Sequence, residues 1–274
     1  MPTLDMNHWQ TGIARVVSNE QEEEILVRGE PLSELIGQLS FAGMMFLLLQ
    51  GKKPSAAQSR VLDALLVASM EHGIAPPSMV SRCFASYGTN IQAAVGAGIL
   101  SFGDRMGGLG EQLARLMVER LDATGVEPAG LSDARLRREA AGVVEQARSS
   151  GTRVPGYGIP LHGRDPRAPQ VLEIARAEGT FGVYCRFAVC IEEALASQRG
   201  GRAVPMNLDG VSAAIILDLG FSWQSTRLFL LTPRSVSMGA HFLEEQSQDS
   251  SWRHIPADEI DYLGPQAPTA RSAG

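Results

Sequence analysis

The chain has 274 residues and a formal net charge of −6, with 24 lysines and arginines against 30 aspartates and glutamates. This length allows one large domain or two modest ones, with a sizeable buried core. The acidic balance provides no basic surface, so a nucleic-acid partner is not expected. Hydrophobic residues make up 44% of the chain but aromatic residues only 6%, and this composition favours helices over a β-sandwich or barrel.

The cysteines and the apolar runs bear on the cellular compartment. Cys83, Cys185 and Cys190 lack the spacing of a metal site or of a redox pair, so free thiols in a reducing compartment are expected. The N-terminal segment carries acid and has no apolar core, unlike a signal peptide. The longest apolar run, at residues 41–49, is far shorter than the roughly 20 residues of a membrane span. We therefore expect a cytoplasmic protein with no membrane partner and no metal.

The first part of the chain predicts a small hairpin followed by helices. Two short apolar runs, at residues 14–17 and 24–29, are separated by an acidic cluster and favour a β-hairpin. Residues 32–51 are typical of one helix, or of two helices that break near Gly43, and they end at a glycine.

The next helix has a clear start signal. Ser55 is followed three residues later by Gln58, which is a capping-box pattern. Apolar residues then recur with a period of 3.6, which predicts one buried helix face. These residues are Val61, Leu62, Leu65, Leu66 and Met70.

Helical patterns continue to the C-terminal part of the chain, separated by turns rich in glycine, proline and polar residues. The segments are 78–100, 111–121, 132–151, 171–179, 183–199, 209–220 and 232–246. The sequence therefore predicts an all-α protein with polar loops between close-packed helices.

Two polar clusters have both a structural and a functional interpretation. His72 ends an apolar helix, where the helix dipole favours a histidine cap even without a function. The glycine-rich stretch at 101–111 superficially resembles a phosphate loop. It has no preceding strand and no following Lys-Ser/Thr pair, so it is weak evidence for a nucleotide site, and a tight helix crossing is the alternative explanation of the glycines.

The loop GYGIPLHGRDPR, at residues 156–167, is the third cluster. Arg164 and Arg167 flank Asp165 and a proline. An arginine held in a rigid turn suits bidentate recognition of a carboxylate. A solvated turn with a local Asp–Arg pair is the equally weighted alternative.

The fourth cluster is the start of the apolar segment 209–220. Asp209 is followed by no other charge until Asp218. A carboxylate that enters a buried helix is costly unless it caps the helix or does chemistry. Both roles are compatible, because restricted solvent also tunes the pKa of a catalytic base.

Taken in chain order, six motifs resemble the citrate synthase superfamily, with the closest match to its lyase branch, citryl-CoA lyase and the C-terminal module of ATP-citrate lyase. Together they span nearly the whole chain in the order of the family. The motifs are ILVRGEPLSELIGQL, EHG, GAGILSFGDRMGG, VPGYG with DPRAPQVLEIA, PMNLDGVSAAIILDLG and WRHIPADEIDYLGP.

The resemblance implies an all-α, citrate synthase-like fold of two helical domains, with the active site in the cleft between them. The large domain would comprise residues 1–111 and 205–274, and the small domain residues 112–204. It further implies a homodimer or higher homo-oligomer, a coenzyme A thioester substrate and a dicarboxylate-type small molecule.

Matched residue by residue, the resemblance also implies site roles. Asp209 would exchange a proton with the acetyl carbon, while Arg167 and Arg234 would hold carboxylates. His72 would bind a carboxylate or carbonyl group. Met106 stands where synthases carry a histidine and lyases a hydrophobic residue.

The same loop departs from the family pattern. Ile159 stands where the family has a catalytic histidine, which leaves His162 as the candidate replacement. His162 lies three residues further along a proline-containing loop, from which it would either swing into the cleft or point at solvent. Candidates for coenzyme A contacts are Arg153, Arg164, Gly156 and Gly158.

The favoured hypothesis is retro-Claisen cleavage of citryl-CoA, or of a related 3-hydroxy-3-carboxyacyl-CoA, to acetyl-CoA (or another acyl-CoA) and oxaloacetate (or another 2-oxo acid). A thioester hydrolase or decarboxylase, or a citrate synthase-type condensing enzyme, on the same fold is one alternative. A degenerate family member that binds acyl-CoA without catalysis is the other.

Overall fold

The computed structural model describes residues 9–21, 23–158, 163, 165–248 and 251–265. Within these residues the chain forms eleven α-helices and one small sheet, so the all-α prediction is confirmed. The helices are α1 Leu32–Leu35, α2 Phe41–Gln50, α3 Ala56–Met70, α4 Pro76–Ser86, α5 Ile91–Leu100, α6 Leu109–Asp122, α7 Asp133–Ser149, α8 Arg167–Ala177, α9 Val183–Gln198, α10 Leu208–Asp218 and α11 Leu228–Ser247.

The predicted hairpin is present near the N-terminus. Strand β1 (Ala14–Ser18) pairs antiparallel with β2 (Glu23–Val27), and β2 pairs in turn with the short β3 (Glu30–Pro31). Only the end of β2 is buried, where Val27 packs with α1 and α2. The sheet is therefore an appendage of the helical core.

The helix break that the sequence predicts near Gly43 lies instead at Ser40. Helix α1 ends at Leu35, and the Ser40 hydroxyl accepts a hydrogen bond from the Gly43 N–H (3.1 Å), which starts α2. A serine cap satisfies an otherwise unpaired N–H at the helix start, so Gly43 lies inside the helix. Gly51 ends α2 in the left-handed conformation, as the sequence predicts.

The capping box of α3 is confirmed. Ser55 Oγ accepts from the Gln58 N–H (3.1 Å), and Gln58 Oε1 accepts from the Ser55 N–H (2.9 Å). Four of the five predicted face residues are buried in the main core, and Met70 is half-buried. The buried residues are Val61, Leu62, Leu65 and Leu66.

Helix α10 is the central element of the core. It packs against α3, α6, α8 and α9, and eight of its eleven residues are buried. Helix α11 packs against α3, α4 and α5, while α7 packs against α9. The first turn of α10 therefore lies where several helices converge, and any polar side chain there is held inside the protein.

The predicted two-domain division stays a prediction. The boundary between residues 111 and 112 falls in the first turn of α6, and the boundary between 204 and 205 falls in the loop before α10.

Three further sequence expectations concern the cysteines, metal binding and membrane-spanning helices. All three cysteines are free, with Cys185 and Cys190 buried. Among the residues that the structure describes, no group of histidine, cysteine, aspartate or glutamate side chains is arranged to hold a metal ion. No helix in the described ranges has the length and apolar character needed to cross a bilayer.

Candidate active site

A cleft of about 1030 Å³ gathers the predicted site residues that the structure describes. Its walls come from the loop after α3, the glycine loop before α6, the first turns of α8 and α10, and the middle of α11. The predicted residues that line it are His72, Arg153, Gly156, Gly158, Arg167, Asp209 and Arg234. Ile159, His162 and Arg164 lie outside the described residues.

Asp209 lies in the first turn of α10, but it does not cap the helix. The cap is Asn207, whose side-chain oxygen accepts from the Gly210 N–H (3.2 Å). The capping interpretation of Asp209 is therefore wrong. Because Asn207 supplies the cap two residues earlier, the Asp209 carboxylate is left to line the cleft.

Burial raises the pKa of Asp209 above its ordinary value. The positive charges of Arg167 and Arg234, and a hydrogen bond from the Gly110 backbone, lower the pKa but do not cancel the effect of burial. The nearby charge of Asp165 adds to the increase. A carboxyl group with a raised pKa in a cleft is a candidate for proton transfer.

Arg167 and Asp165 form a bidentate pair at the start of α8. Arg167 Nε and Nη2 donate to the two carboxylate oxygens at 2.9 and 2.8 Å. The pair is local, as one interpretation of the loop predicts, but it is not solvated, because Asp165 is only 1% exposed. Arg167 Nη1 is buried and has no hydrogen-bond partner among the described residues.

Asp165 also organises the backbone around the cleft. Its carboxylate accepts from the Arg167 N–H (3.0 Å) and from the Leu208 N–H (3.1 Å), so it binds the first residues of both α8 and α10. Burial alone would raise the pKa of Asp165, but the hydrogen bonds and charge of Arg167 lower it below its ordinary value. Asp165 is thus a fixed anion that holds Arg167 in place.

Arg234 lies in the middle of α11 and is 7% exposed. It follows Pro233, which removes one helical hydrogen bond at this point of the helix. Arg234 Nε is buried and, within the described ranges, has no hydrogen-bond partner. Buried donors without partners are costly, and both arginines that carry one here line the cleft.

The glycines of the 156–158 segment set how closely this segment approaches α10. A Cβ atom at Gly156, which has a φ of +84°, would lie 2.8 Å from the Gly210 Cα atom. Asn207 Nδ2 donates to the Gly158 carbonyl (2.7 Å), and the Asn207 N–H donates to the Gly156 carbonyl (3.0 Å). Gly156 is therefore required for packing, and a coenzyme A contact at Gly156 or Gly158 stays a prediction.

The cleft also has a basic part and an apolar part. Arg153 lines it, together with three further arginines, and its contact with coenzyme A stays a prediction. The three further arginines are Arg105, Arg148 and Arg199. The apolar side chains include Phe102, Met106, Leu230 and Met238.

Two residues that the sequence analysis gave no role prove to be part of the site. They are Asp165 and Asn207, and both line the cleft. Asn207 had a usable signal, because asparagine is as good an N-cap as aspartate and lies three residues before Gly210. The burial of Asp165 has no local signal, since it arises from contact with α10.

Residues 28–255 match the protein family described as the citrate synthase C-terminal domain. The chain belongs to the citrate synthase family. The predicted superfamily is thus confirmed. The chain is also similar to citryl-CoA lyase from Hydrogenobacter thermophilus, with 31% identity and a TM-score of 0.83 over 95% of this chain and 96% of that chain.

Two larger relatives contain a similar segment. ATP-citrate synthase subunit 1 from Sordaria macrospora is 24% identical over 268 residues, and the match covers 91% of this chain but only 38% of that protein. ATP citrate lyase from Methanothrix soehngenii, solved in complex with citrate and coenzyme A, has a TM-score of 0.77 at 20% identity. That match covers 97% of this chain and 43% of the other chain, and it bears on the fold alone.

Proposed function

We propose that the protein is a citryl-CoA lyase-like enzyme, which cleaves citryl-CoA or a related 3-hydroxy-3-carboxyacyl-CoA into an acyl-CoA and a 2-oxo acid. One observation carries the proposal. A single cleft combines Asp209, whose pKa is raised, with two arginines that each keep a buried donor without a partner in the described chain. The near-complete overlap with the citryl-CoA lyase of H. thermophilus supports the same conclusion.

The two arginines suit the carboxylates of the substrate. Asp165 already occupies Nε and Nη2 of Arg167, so Nη1 is the donor left for a ligand. Arg234 offers Nε from the neighbouring helix α11. Charge-assisted hydrogen bonds from fixed guanidinium groups select and orient carboxylates, and they would hold the 2-oxo acid half of the substrate while the bond breaks.

The bond cleavage needs a base and an acid. A base removes the proton of the tertiary hydroxyl group, the oxygen forms a carbonyl, and the adjacent carbon–carbon bond breaks. Its electron pair passes into the thioester as an enolate. Asp209, whose pKa is raised by burial, then donates the proton of its acid form to the enolate carbon and yields the acyl-CoA.

His72 and His162 are the candidates for the base. His72 lines the cleft, in the loop between α3 and α4. His162 lies outside the described residues. A catalytic base must come within hydrogen-bond reach of the hydroxyl proton, so separate glutamine variants of the two histidines identify which one acts.

The remainder of the cleft suits a coenzyme A ester. Arg105, Arg148, Arg153 and Arg199 line the same cleft as Asp209 and provide cationic groups for phosphates. Of these, Arg148 already pairs with Glu145 at 2.7 Å. The volume of about 1030 Å³ is at the upper end of the range for small-molecule sites, as a substrate of this size requires.

The decisive experiment is incubation of the purified protein with citryl-CoA. We expect oxaloacetate, detected by malate dehydrogenase and NADH oxidation, in equal amount to acetyl-CoA detected by mass spectrometry. Citrate together with free coenzyme A would identify a thioester hydrolase instead. Binding of citryl-CoA in calorimetry without any product would identify a binding protein, and either result would overturn the lyase proposal.

A further inference from the structure

The Glu71 carboxylate connects the cleft loop to helix α11. Glu71 Oε1 accepts a hydrogen bond from the backbone N–H of His72 (2.7 Å). Its other oxygen, Oε2, accepts from the Ser237 hydroxyl. His241 Nε2 approaches the same carboxylate, at 3.5 Å from Oε1 and 3.4 Å from Oε2. One side chain therefore binds both the backbone of a candidate site residue and two residues of α11.

The two contacted residues lie on the same helix face as Arg234. Ser237 is three residues after Arg234, and His241 is four residues after Ser237, a spacing that puts all three on one side of α11. The negative charge of Glu71 also acts directly on Arg234 and opposes the effect of burial, which lowers the pKa of Arg234. Glu71 thus links His72 to the part of α11 that supplies the second arginine of the cleft.

The orientation of His241 is fixed from its other side. Arg82 Nε donates to His241 Nδ1 at 3.0 Å. Because a guanidinium group can only donate, Nδ1 accepts, and in the neutral ring the proton is on Nε2, which faces Glu71. Arg82 is itself held by Glu245, with 2.7 Å between Nη1 and Oε2, and Glu245 is only 1% exposed.

Glu71 is charged at neutral pH. Burial alone would raise the pKa of Glu71, but the hydrogen bonds from Ser237 and from the His72 N–H, together with His241, lower it below its ordinary value. A charged carboxylate makes stronger hydrogen bonds than a neutral acceptor. The Ser237 hydroxyl and the His72 N–H therefore share one charged acceptor, which joins the loop to α11.

We propose that Glu71 is a positioning residue, which sets the location of His72 relative to Arg234 through its contacts with Ser237 and His241. Its kinetic consequence rests on the proposed lyase function, whereas its effect on the His72 ring does not. The Glu71 carboxylate holds the loop through the backbone N–H of His72. It therefore acts on the cleft without taking part in the reaction.

The first test is kinetic and uses Glu71→Gln together with two variants of His241. Misplacement of a site residue by about 1 Å costs on the order of 100-fold in rate, so we expect kcat of E71Q to fall by about 10- to 100-fold with a smaller change in KM. In H241Q the side-chain amide nitrogen replaces Nε2 as the donor to Glu71, and most activity is retained. In H241N the amide cannot reach Glu71, and kcat falls as in E71Q.

The second test requires no turnover. In protein labelled with ¹⁵N-histidine, the His72 imidazole signals, assigned with His72→Gln, are expected to shift in E71Q and H241N and to stay unchanged in H241Q. The control is Glu173→Gln, which removes an exposed carboxylate on α8 that pairs with Arg176. It is expected to change neither the His72 signals nor kcat.

The two tests separate the positioning role from the lyase function. If citryl-CoA is not cleaved, the lyase proposal fails, and the His72 signals alone then decide the role of Glu71. Unchanged His72 signals in a folded E71Q protein would overturn the positioning role. Equal losses in H241Q and H241N, in step with a lowered melting temperature, would also overturn it and would indicate a purely structural network.

Discussion

The two ends of helix α10 each carry an aspartate in a half-buried position, and they use it differently. Asp218, the last residue of the helix, accepts hydrogen bonds from the N–H groups of Gly182, Tyr184 and Cys185 at 2.8, 2.9 and 2.9 Å. Asp209, in the first turn, lines the cleft and interacts with the Gly110 backbone and two arginine charges.

Burial raises the pKa of both carboxyl groups, so the pKa alone does not distinguish a catalytic aspartate from a structural one. The two are distinguished by the number of backbone N–H groups that donate to the carboxylate oxygens. Asp218 caps the start of α9 and has no oxygen free for a substrate, because Oδ1 and Oδ2 both accept backbone bonds. Asp209 lines the cleft and accepts a backbone hydrogen bond from Gly110, while Asn207 caps its helix.

The largest expected difference between the two aspartates is in turnover. Asp209→Asn keeps the shape of the side chain but cannot transfer a proton, so kcat on citryl-CoA is expected to fall by about 10²- to 10⁴-fold. The melting temperature is expected to stay the same or rise, because a poorly solvated charge is removed. Steady-state kinetics and thermal unfolding of the same preparation test this. Full turnover by D209N would contradict the role of Asp209 as the acid.

The complementary substitution, at Asp218, is expected to affect the stability of the protein. Asp218→Ala leaves three backbone N–H groups of α9 without their acceptor, which is expected to lower the free energy of unfolding by about 2 to 3 kcal/mol. Urea unfolding measures this loss. Asp63→Ala, at an exposed position of α3, is the control and is expected to be nearly neutral. An unchanged midpoint for D218A would show that the cap contributes little.

A smaller effect concerns the pH dependence of stability, where Asp209 and Asp165 are expected to have opposite signs. The pKa of Asp209 is raised in the folded protein, so its ionisation destabilises the fold increasingly as pH rises from about 4 through its folded pKa. D209N should therefore gain stability relative to wild type over that range and show a constant difference above it.

Asp165 behaves in the opposite way because its pKa is lowered in the folded protein. Its contribution to stability is fully present above about pH 4 and is lost as pH falls through the folded pKa. D165N is therefore less stable than wild type at neutral pH, and the difference disappears in acid. Melting temperatures at a series of pH values test both variants. If the difference from wild type changed with pH in the same direction for D209N and D165N, this account would be contradicted.

The sequence predicted best the features that depend on neighbouring residues. The capping box of Ser55 and Gln58 is a contact over three residues, and it forms as expected. The predicted break near Gly43 is wrong because Ser40, a better cap than glycine, starts α2. The N-cap of α10 is ambiguous in the sequence for a similar reason, because Asn207 and Asp209 are both good capping residues.

Features that depend on contacts between residues far apart in the sequence could not be predicted in the same way. Arg105, Arg148 and Arg199 come from a loop, the end of α7 and the residue after α9, and only the folded chain brings them to one cleft. The contact between Glu71 and Ser237 joins residues 166 positions apart. Local patterns marked His72, Arg167 and Asp209 as candidates, and the resemblance to the citrate synthase family added Arg234. All four line the cleft, while their roles stay predictions.

The close approach of Gly156 and Gly210 limits how this cleft can change. A Cβ atom at Gly210 would lie 2.4 Å from the Gly156 carbonyl oxygen, so the two backbones are already as near as atoms permit. Any larger residue at either position can only push the 156–158 segment away from the helix that carries Asp209. Even a methyl group at this wall therefore displaces a segment that lines the cleft beside Asp209.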